Sequence, residues 1–251
     1  LQRRSGEALQ RDRDRGRVKP SVTPSDVGTE GDFEQALSEA DEIRLTGDLP
    51  LTKAYNITKD TVIDLNGHTI SSNINSENLL YVSGDVTLTL KNGSIQTRRH
   101  IALATNGAKI IIENGTYTST VDYGFGVNGS GSKITMNGGK IIAVEGGIGA
   151  FRGGEIEVNG GEIEVSDNFA LFTNGTGGMG GNKIVINGGK FVGNITSSGY
   201  EAIGIYVANN DTFIMNGGEI IANGGTGLCM RGGTVTINDG KITATKTRKE
   251  G

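Results

Sequence analysis

Residues 156–163 read Ile-Glu-Val-Asn-Gly-Gly-Glu-Ile, and this eight-residue figure recurs along most of the chain. It returns as Ile63 to Ile70 (IDLNGHTI), Leu88 to Ile95 (LTLKNGSI), Ile110 to Tyr117 (IIIENGTY), Ile134 to Ile141 (ITMNGGKI), Ile184 to Phe191 (IVINGGKF), Phe213 to Ile220 (FIMNGGEI) and Val235 to Ile242 (VTINDGKI). Its third column advances through Leu65, Leu90, Ile112, Met136, Val158, Ile186, Met215 and Ile237, at intervals of 25, 22, 24, 22, 28, 29 and 22 residues. Columns one, three and eight are apolar in every row while column two varies freely, which is the period-2 mark of a strand with one buried face. Column six is Gly except at His68, and column five is Gly, Asn or Asp, residues that tolerate a left-handed backbone. Asn-Gly between two apolar pairs ordinarily marks a two-residue antiparallel hairpin. A hairpin does not recur at a coil-length period with the same columns refilled, so each figure is one corner of a solenoid coil.

Working outward, a further short apolar stretch precedes each figure, as in Leu79 to Val82, Gly147 to Phe151, Ile203 to Val207 and Gly227 to Met230. A second turn follows it, seen as Ser83-Gly84-Asp85, Gly153-Gly154, Asn209-Asn210-Asp211 and Arg231-Gly232-Gly233. The expected fold is therefore all-β: a single-stranded right-handed parallel β-helix of about nine coils with three short strands per coil. At about 4.8 Å per step the eight aligned rows span roughly 34 Å. Length variation falls in the corner at Val192 to Gly199 and in the second turn at Thr173 to Asn182, the places where a solenoid carries binding loops. Column four is Asn in six rows but Lys91 and Glu113 in two. Burying those charges would cost several kcal/mol each, so the column belongs on the outer surface or at a wet corner, where its amides can stack.

Composition agrees with a solenoid. The 251 residues include 42 Gly but 3 Pro, and the apolar fraction is 35%. Thin apolar columns joined by tight glycine turns account for both. The net charge of −4 argues against electrostatic binding of nucleic acid or an anionic membrane. The lone Cys229 excludes an internal disulfide and a cysteine-built metal site, and it reads as a small buried hydrophobe. No apolar run approaches the roughly 18 residues of a membrane span, and the N-terminus is charged where a secretory leader is hydrophobic. The chain opens on Leu1 rather than Met, which leaves a processed precursor open.

Asp32 to Asp48 (DFEQALSEADEIRLTGD), followed by Ile57 to Ile70 with its VIDLNGHTI, resembles the N-terminal entry of the pectate-lyase-like right-handed β-helix superfamily. The resemblance covers roughly residues 29–245. It implies a short amphipathic helix over the first coil, at about 32–40. Phe33, Ala36, Leu37 and Ala40 fall at helical spacing on one face, and Thr29 or Asp32 is the expected cap. The superfamily includes pectinolytic enzymes, phage tailspikes, virion proteins and bacterial surface adhesins, so the resemblance fixes a fold rather than an activity.

Catalytic groups are scarce. The Asn-Thr-Asp strand and Gly-His-Gly turn of polygalacturonases do not occur, nor does an aspartate group of the pectate-lyase kind. The only imidazoles are His68, read as a surface turn residue, and His100, read as part of a basic corner with Arg98 and Arg99. Glu155, Glu157, Glu162 and Glu164 flank one turn and resemble a glycosidase carboxylate set, but they alternate with Ile156, Val158, Ile163 and Val165 and so read as an outward solvated edge. A chain with no Trp and 5% aromatic residues is poorly furnished for stacking on sugars. No catalytic residue, cofactor site or metal site is expected.

Residues 1–28 lack hydrophobic periodicity and read as an extended basic arm, leaving 29–251 to the β-helix. Arg3, Arg4, Arg11, Arg13, Arg15, Arg17 and Lys19 stand within residues 1–20 against three acidic residues, Glu7, Asp12 and Asp14. Such a segment is either a solvated tail or a docking arm that pairs its cations with a neighbour's carboxylates; about 25 extended residues reach on the order of 80 Å. Two readings follow. In the first, the chain is a non-enzymatic structural or interaction protein held by this arm to protein partners in a larger assembly. The resemblance suggests a phage virion, as capsid decoration, head fibre or tail component, with homo-oligomers and a surface glycan as further partners. In the second, it is a secreted bacterial β-helix adhesin or carbohydrate-active protein at the cell surface.

Overall fold

The computed structural model describes residues 23–194 and 202–245, and the basic residues from Arg3 to Lys19 lie outside them. The described chain is a parallel β-solenoid. Its strands fall into three sheets of ten, nine and eight strands, and every neighbouring pair runs parallel with one coil between partners. The first sheet carries strands such as Lys109–Ile112, Lys133–Met136 and Glu155–Val158; the second, Thr116–Ser119, Lys140–Ala143 and Glu162–Val165; the third, Tyr123–Asn128, Gly146–Phe151 and Phe169–Asn174. Each coil visits the three in that order, so the anticipated three strands and three corners per coil are present.

The apolar columns stack as expected for seven of the eight rows. Leu90, Ile112, Met136, Val158, Ile186, Met215 and Ile237 are direct partners in the first sheet. Ile70, Ile95, Tyr117, Ile141, Ile163, Phe191, Ile220 and Ile242 are partners in the second. The first row departs from its expected register by two residues: Ile63, not Leu65, pairs with Leu90. The corner from Leu65 to Thr69 absorbs the extra pair through positive φ at Asn66 (49°) and Gly67 (82°). Leu65 is still fully buried, because it turns inward over Gly93, where any β-carbon would stand 2.4 Å from its own.

In most rows the left-handed residue is the glycine of column six, as at Gly139 (86°) and Gly161 (92°), rather than that of column five. Column five is glycine for a different reason. A β-carbon at Gly160 or Gly188 would press to 3.0 or 2.7 Å from the carbonyl oxygen of the column-four Asn one coil earlier. Column four lies outside, as anticipated, and forms a ladder. Asn238 donates to Asn216, Asn216 to Asn187, Asn187 to Asn159, Asn159 to Asn137 and Asn137 to the Glu113 carboxylate, over 2.7–3.0 Å.

The two ends of the rod differ. Helix α1 (Glu30–Glu39) covers the N-terminal coil; Thr29 caps it in a reciprocal box with Asp32, and Phe33 and Ala36 are buried beneath it. The helix starts two residues before its expected position. Strand Ser25–Val27 pairs with Ile43–Leu45, so the solenoid begins inside the segment read as an arm. At the other end, Ile237 and Ile242 are 49% and 40% exposed although Met215 and Ile220, one coil earlier in the same columns, are fully buried.

Candidate functional site

Two of the three outer faces are charged. Glu155 and Glu157 both pair with Lys133, at 3.1 and 2.5 Å, and Glu162 and Glu164 with Lys140, at 3.1 and 2.9 Å. The four carboxylates therefore do form the anticipated outward edge, each pair clamped on a lysine from the preceding coil. His68 sits at its corner, half-buried, with Nδ1 3.8 Å from Asp48.

The outer face of the third sheet is of another kind. One outward column there reads Tyr81, Leu103, Gly126, Gly149, Phe172, Tyr206, Cys229 in consecutive coils. A second reads Tyr123, Gly146, Phe169, Ile203. The coil bearing Gly146 and Gly149 leaves a gap in the wall of side chains, and the ring of Phe172 leans back into it. A β-carbon at Gly149 would lie 2.4 Å from Phe172 Cζ, and one at Gly146 would lie 2.6 Å from Cε1. Seated there, Phe172 meets Tyr123 and Phe151 edge-on, with centroids 5.6 and 5.8 Å away, and Phe169 at 5.8 Å. Phe169 in turn meets Tyr206 at 5.2 Å. Five rings thus form one half-buried strip, drawn from only six Tyr and seven Phe in the chain. Beside it runs a groove of about 660 Å³ lined by Phe169, Phe172, Tyr206, Glu145, Asn174 and Arg231. A hollow of similar size among Pro50, Asn73 and Gln96 has neither an aromatic ring nor an ionisable group in its lining.

The corner leading into this sheet carries charge. Asp122 Oδ2 accepts from Arg99 Nε and Nη2 at 3.2 and 2.9 Å, and its Oδ1 accepts from the Tyr123 backbone N–H at 3.0 Å. His100, read from the sequence as part of a basic corner with Arg98 and Arg99, is only 6% exposed, and its ring stacks on Tyr123 at 3.7 Å and 20°. Its Nε2 stands 3.0 Å from Asp122 Oδ1 but off the line of a hydrogen bond. Burial pushes the His100 pKa down; the Asp122 charge opposes this without overcoming it, and Arg99 adds to it. Burial alone would raise Asp122, but Arg99 and then His100 outweigh it and hold the carboxyl below its ordinary range. Glu145, one coil on, is raised, first by partial desolvation and then by the Asp122 and Asp167 carboxylates.

Sequence reasoning found neither the strip nor this corner. The signal was present in the third-strand columns, where glycines at 126, 146 and 149 alternate with rings at 123, 169, 172 and 206. No cluster of potential metal ligands occurs among the described residues, and no helix there is long and apolar enough to cross a membrane. Compared with known proteins, the chain matches no family model, no curated protein and no solved structure.

Proposed function

We propose that the chain is a non-enzymatic interaction protein whose rod holds a saccharide chain against the aromatic strip of its third face, within the pectate-lyase-like β-helix superfamily. The observation that carries this reading is the continuity of the strip: Tyr123, Phe172, Phe169 and Tyr206 are linked at 5.2–5.8 Å on an outer face. Rings offer flat apolar area to the C–H faces of sugars, and their own entropy cost is small because packing already fixes them. Glu145, Asn174 and Arg231 border the same groove and supply partners for hydroxyl groups. The parallel ladders beneath hold the rings on a rigid support, which favours recognition.

Binding is favoured over hydrolysis by the state of Asp122. A two-carboxylate mechanism at this corner would use Glu145 and Asp122. Both Asp122 oxygens are already occupied, one by Arg99 and the other by the Tyr123 N–H with His100 alongside. A saccharide ligand suits both a virion component anchored by its arm and a bacterial surface adhesin.

The test is calorimetry of the full chain against a panel of neutral and acidic oligosaccharides, repeated with Tyr206→Ala and Phe169→Ala. At least one saccharide is expected to bind, and each variant to weaken it by about tenfold, equivalent to ~1.4 kcal/mol. Silence across the panel, or variants that bind as well as the parent, would overturn the reading.

A further inference from the structure

We infer that the corner formed by Arg99, His100, Asp122 and Glu145 is a proton-responsive rim that couples mild acidification to the packing of the ring strip. The inference concerns the face proposed to hold a saccharide, but its test needs no ligand.

The geometry places a titratable ring directly against Tyr123 at one end of the strip. His100 lies flat on Tyr123 at 3.7 Å, and Tyr123 meets Phe172 at 5.6 Å and Phe151 at 6.4 Å. A charge placed on the imidazole therefore acts first on Tyr123 and then on the rings that Tyr123 supports. Each charged group facing His100 has a definite effect. Asp122, from the following coil, and Glu77, from the preceding one, favour its protonation, whereas Arg99 beside it and burial oppose it. Neutral His100 leaves Asp122 to Arg99. Protonated His100 brings a second cation to the same carboxylate: its Nε2 stands 3.0 Å from Oδ1 while Arg99 bonds Oδ2, so its charge draws Oδ1 onto the line of a hydrogen bond that the present geometry misses.

Glu145 adds to the change from the other side. It shares the corner through its backbone N–H, which donates to the Asp122 carbonyl at 3.4 Å, and it lines the groove. Its pKa is raised and that of His100 is lowered, so the two titrations move toward each other, and acidification takes a negative charge from the rim and adds a positive one. Stability alone would not report this. Sign by sign, a lowered His pKa makes the fold less stable as pH falls, while a raised Glu pKa makes it more stable, so the two contributions offset.

The discriminating experiment is an NMR titration of the full 251-residue chain from about pH 8 to about pH 4, following the imidazole and aromatic side-chain signals. Only His68 and His100 contribute imidazole signals, and His100→Gln assigns them. The His100 midpoint is expected below the unperturbed value of about 6.5, with Tyr123 and Phe172 ring signals moving at the same midpoint. Those ring shifts should vanish in His100→Gln. In Asp122→Asn, which removes the favouring charge, the His100 midpoint should fall further. Ring signals that ignore the His100 transition, ring shifts that persist in His100→Gln, or a midpoint unmoved in Asp122→Asn would each overturn the inference. A saccharide panel that fails while these shifts appear would sink the ligand reading and leave the rim standing.

Discussion

On the second sheet one outward column reads Lys140, Glu162, Lys190, Glu219, Lys241 in consecutive coils, whereas the matching outward column of the third sheet reads Gly126, Gly149, Phe172, Tyr206, Cys229. Both columns stand on the same kind of parallel ladder, so backbone geometry does not separate them. Side-chain chemistry does. The alternating charges keep one face hydrated and pair its coils at two steps, at 3.1 Å for Lys140–Glu162 and 2.8 Å for Lys241–Glu219. The rings instead pack on one another and keep apolar area at the surface, which a soluble face does not need for its own sake. A solenoid thus separates the residues that hold it up from those available to a partner, since the interior columns are the same under both faces.

The comparison can be broken most severely at Phe172. Phe172→Ala empties the recess over Gly146 and Gly149 and removes three ring contacts at once. Because the ring is half-buried, the expected loss is about 2 kcal/mol, below the ~3–5 of a fully buried Phe, measured by urea denaturation. Gly149→Ala attacks the same recess from beneath. Its new β-carbon would stand 2.4 Å from Phe172 Cζ, so the ring must swing out. The expected outcome is a loss of only about 1 kcal/mol, with saccharide affinity reduced at least as much as in Tyr206→Ala.

A smaller effect sharpens the difference through pH. The folded pKa of His100 lies below its unfolded value, so its contribution to stability is complete above about pH 6.5 and is lost as pH falls through the folded pKa. His100→Gln should remove that part of the acid dependence in denaturation curves taken at a series of pH values. Smallest is the change on the charged face. Lys140→Ala removes two exposed ion pairs and should cost no more than about 0.5 kcal/mol, a difference that shrinks further as salt screens the pair.

How far the fold was legible depended on how local its signals were. The eight-residue figure holds two strands and the corner between them, so seven rows and the whole second-sheet column could be aligned from sequence. The first row slipped by two because IDLNGHTI fills the same apolar columns as its neighbours while Asn66 and Gly67 open a wider corner than Asn92 and Gly93 do. The helix was legible for the same local reason: Thr29 and Asp32 cap it and Phe33 and Ala36 share a face. The ring strip was not, because it is made across coils. Phe172 gains its meaning from Gly146 and Gly149, more than twenty residues earlier, and a low aromatic fraction counts rings without placing them. His100 was misread for a related reason: its neighbours in sequence are arginines, but its neighbours in space are Asp122 and Tyr123 of the next coil.

The most direct test of a division of labour between faces is to map, by NMR side-chain and amide shifts, where the tightest-binding saccharide of the panel contacts the full chain. The expected footprint covers Phe169, Phe172, Tyr206 and Glu145 and leaves the Lys140–Glu162–Lys190 column untouched. A footprint centred on that charged column, or shifts spread evenly over all three faces, would contradict it.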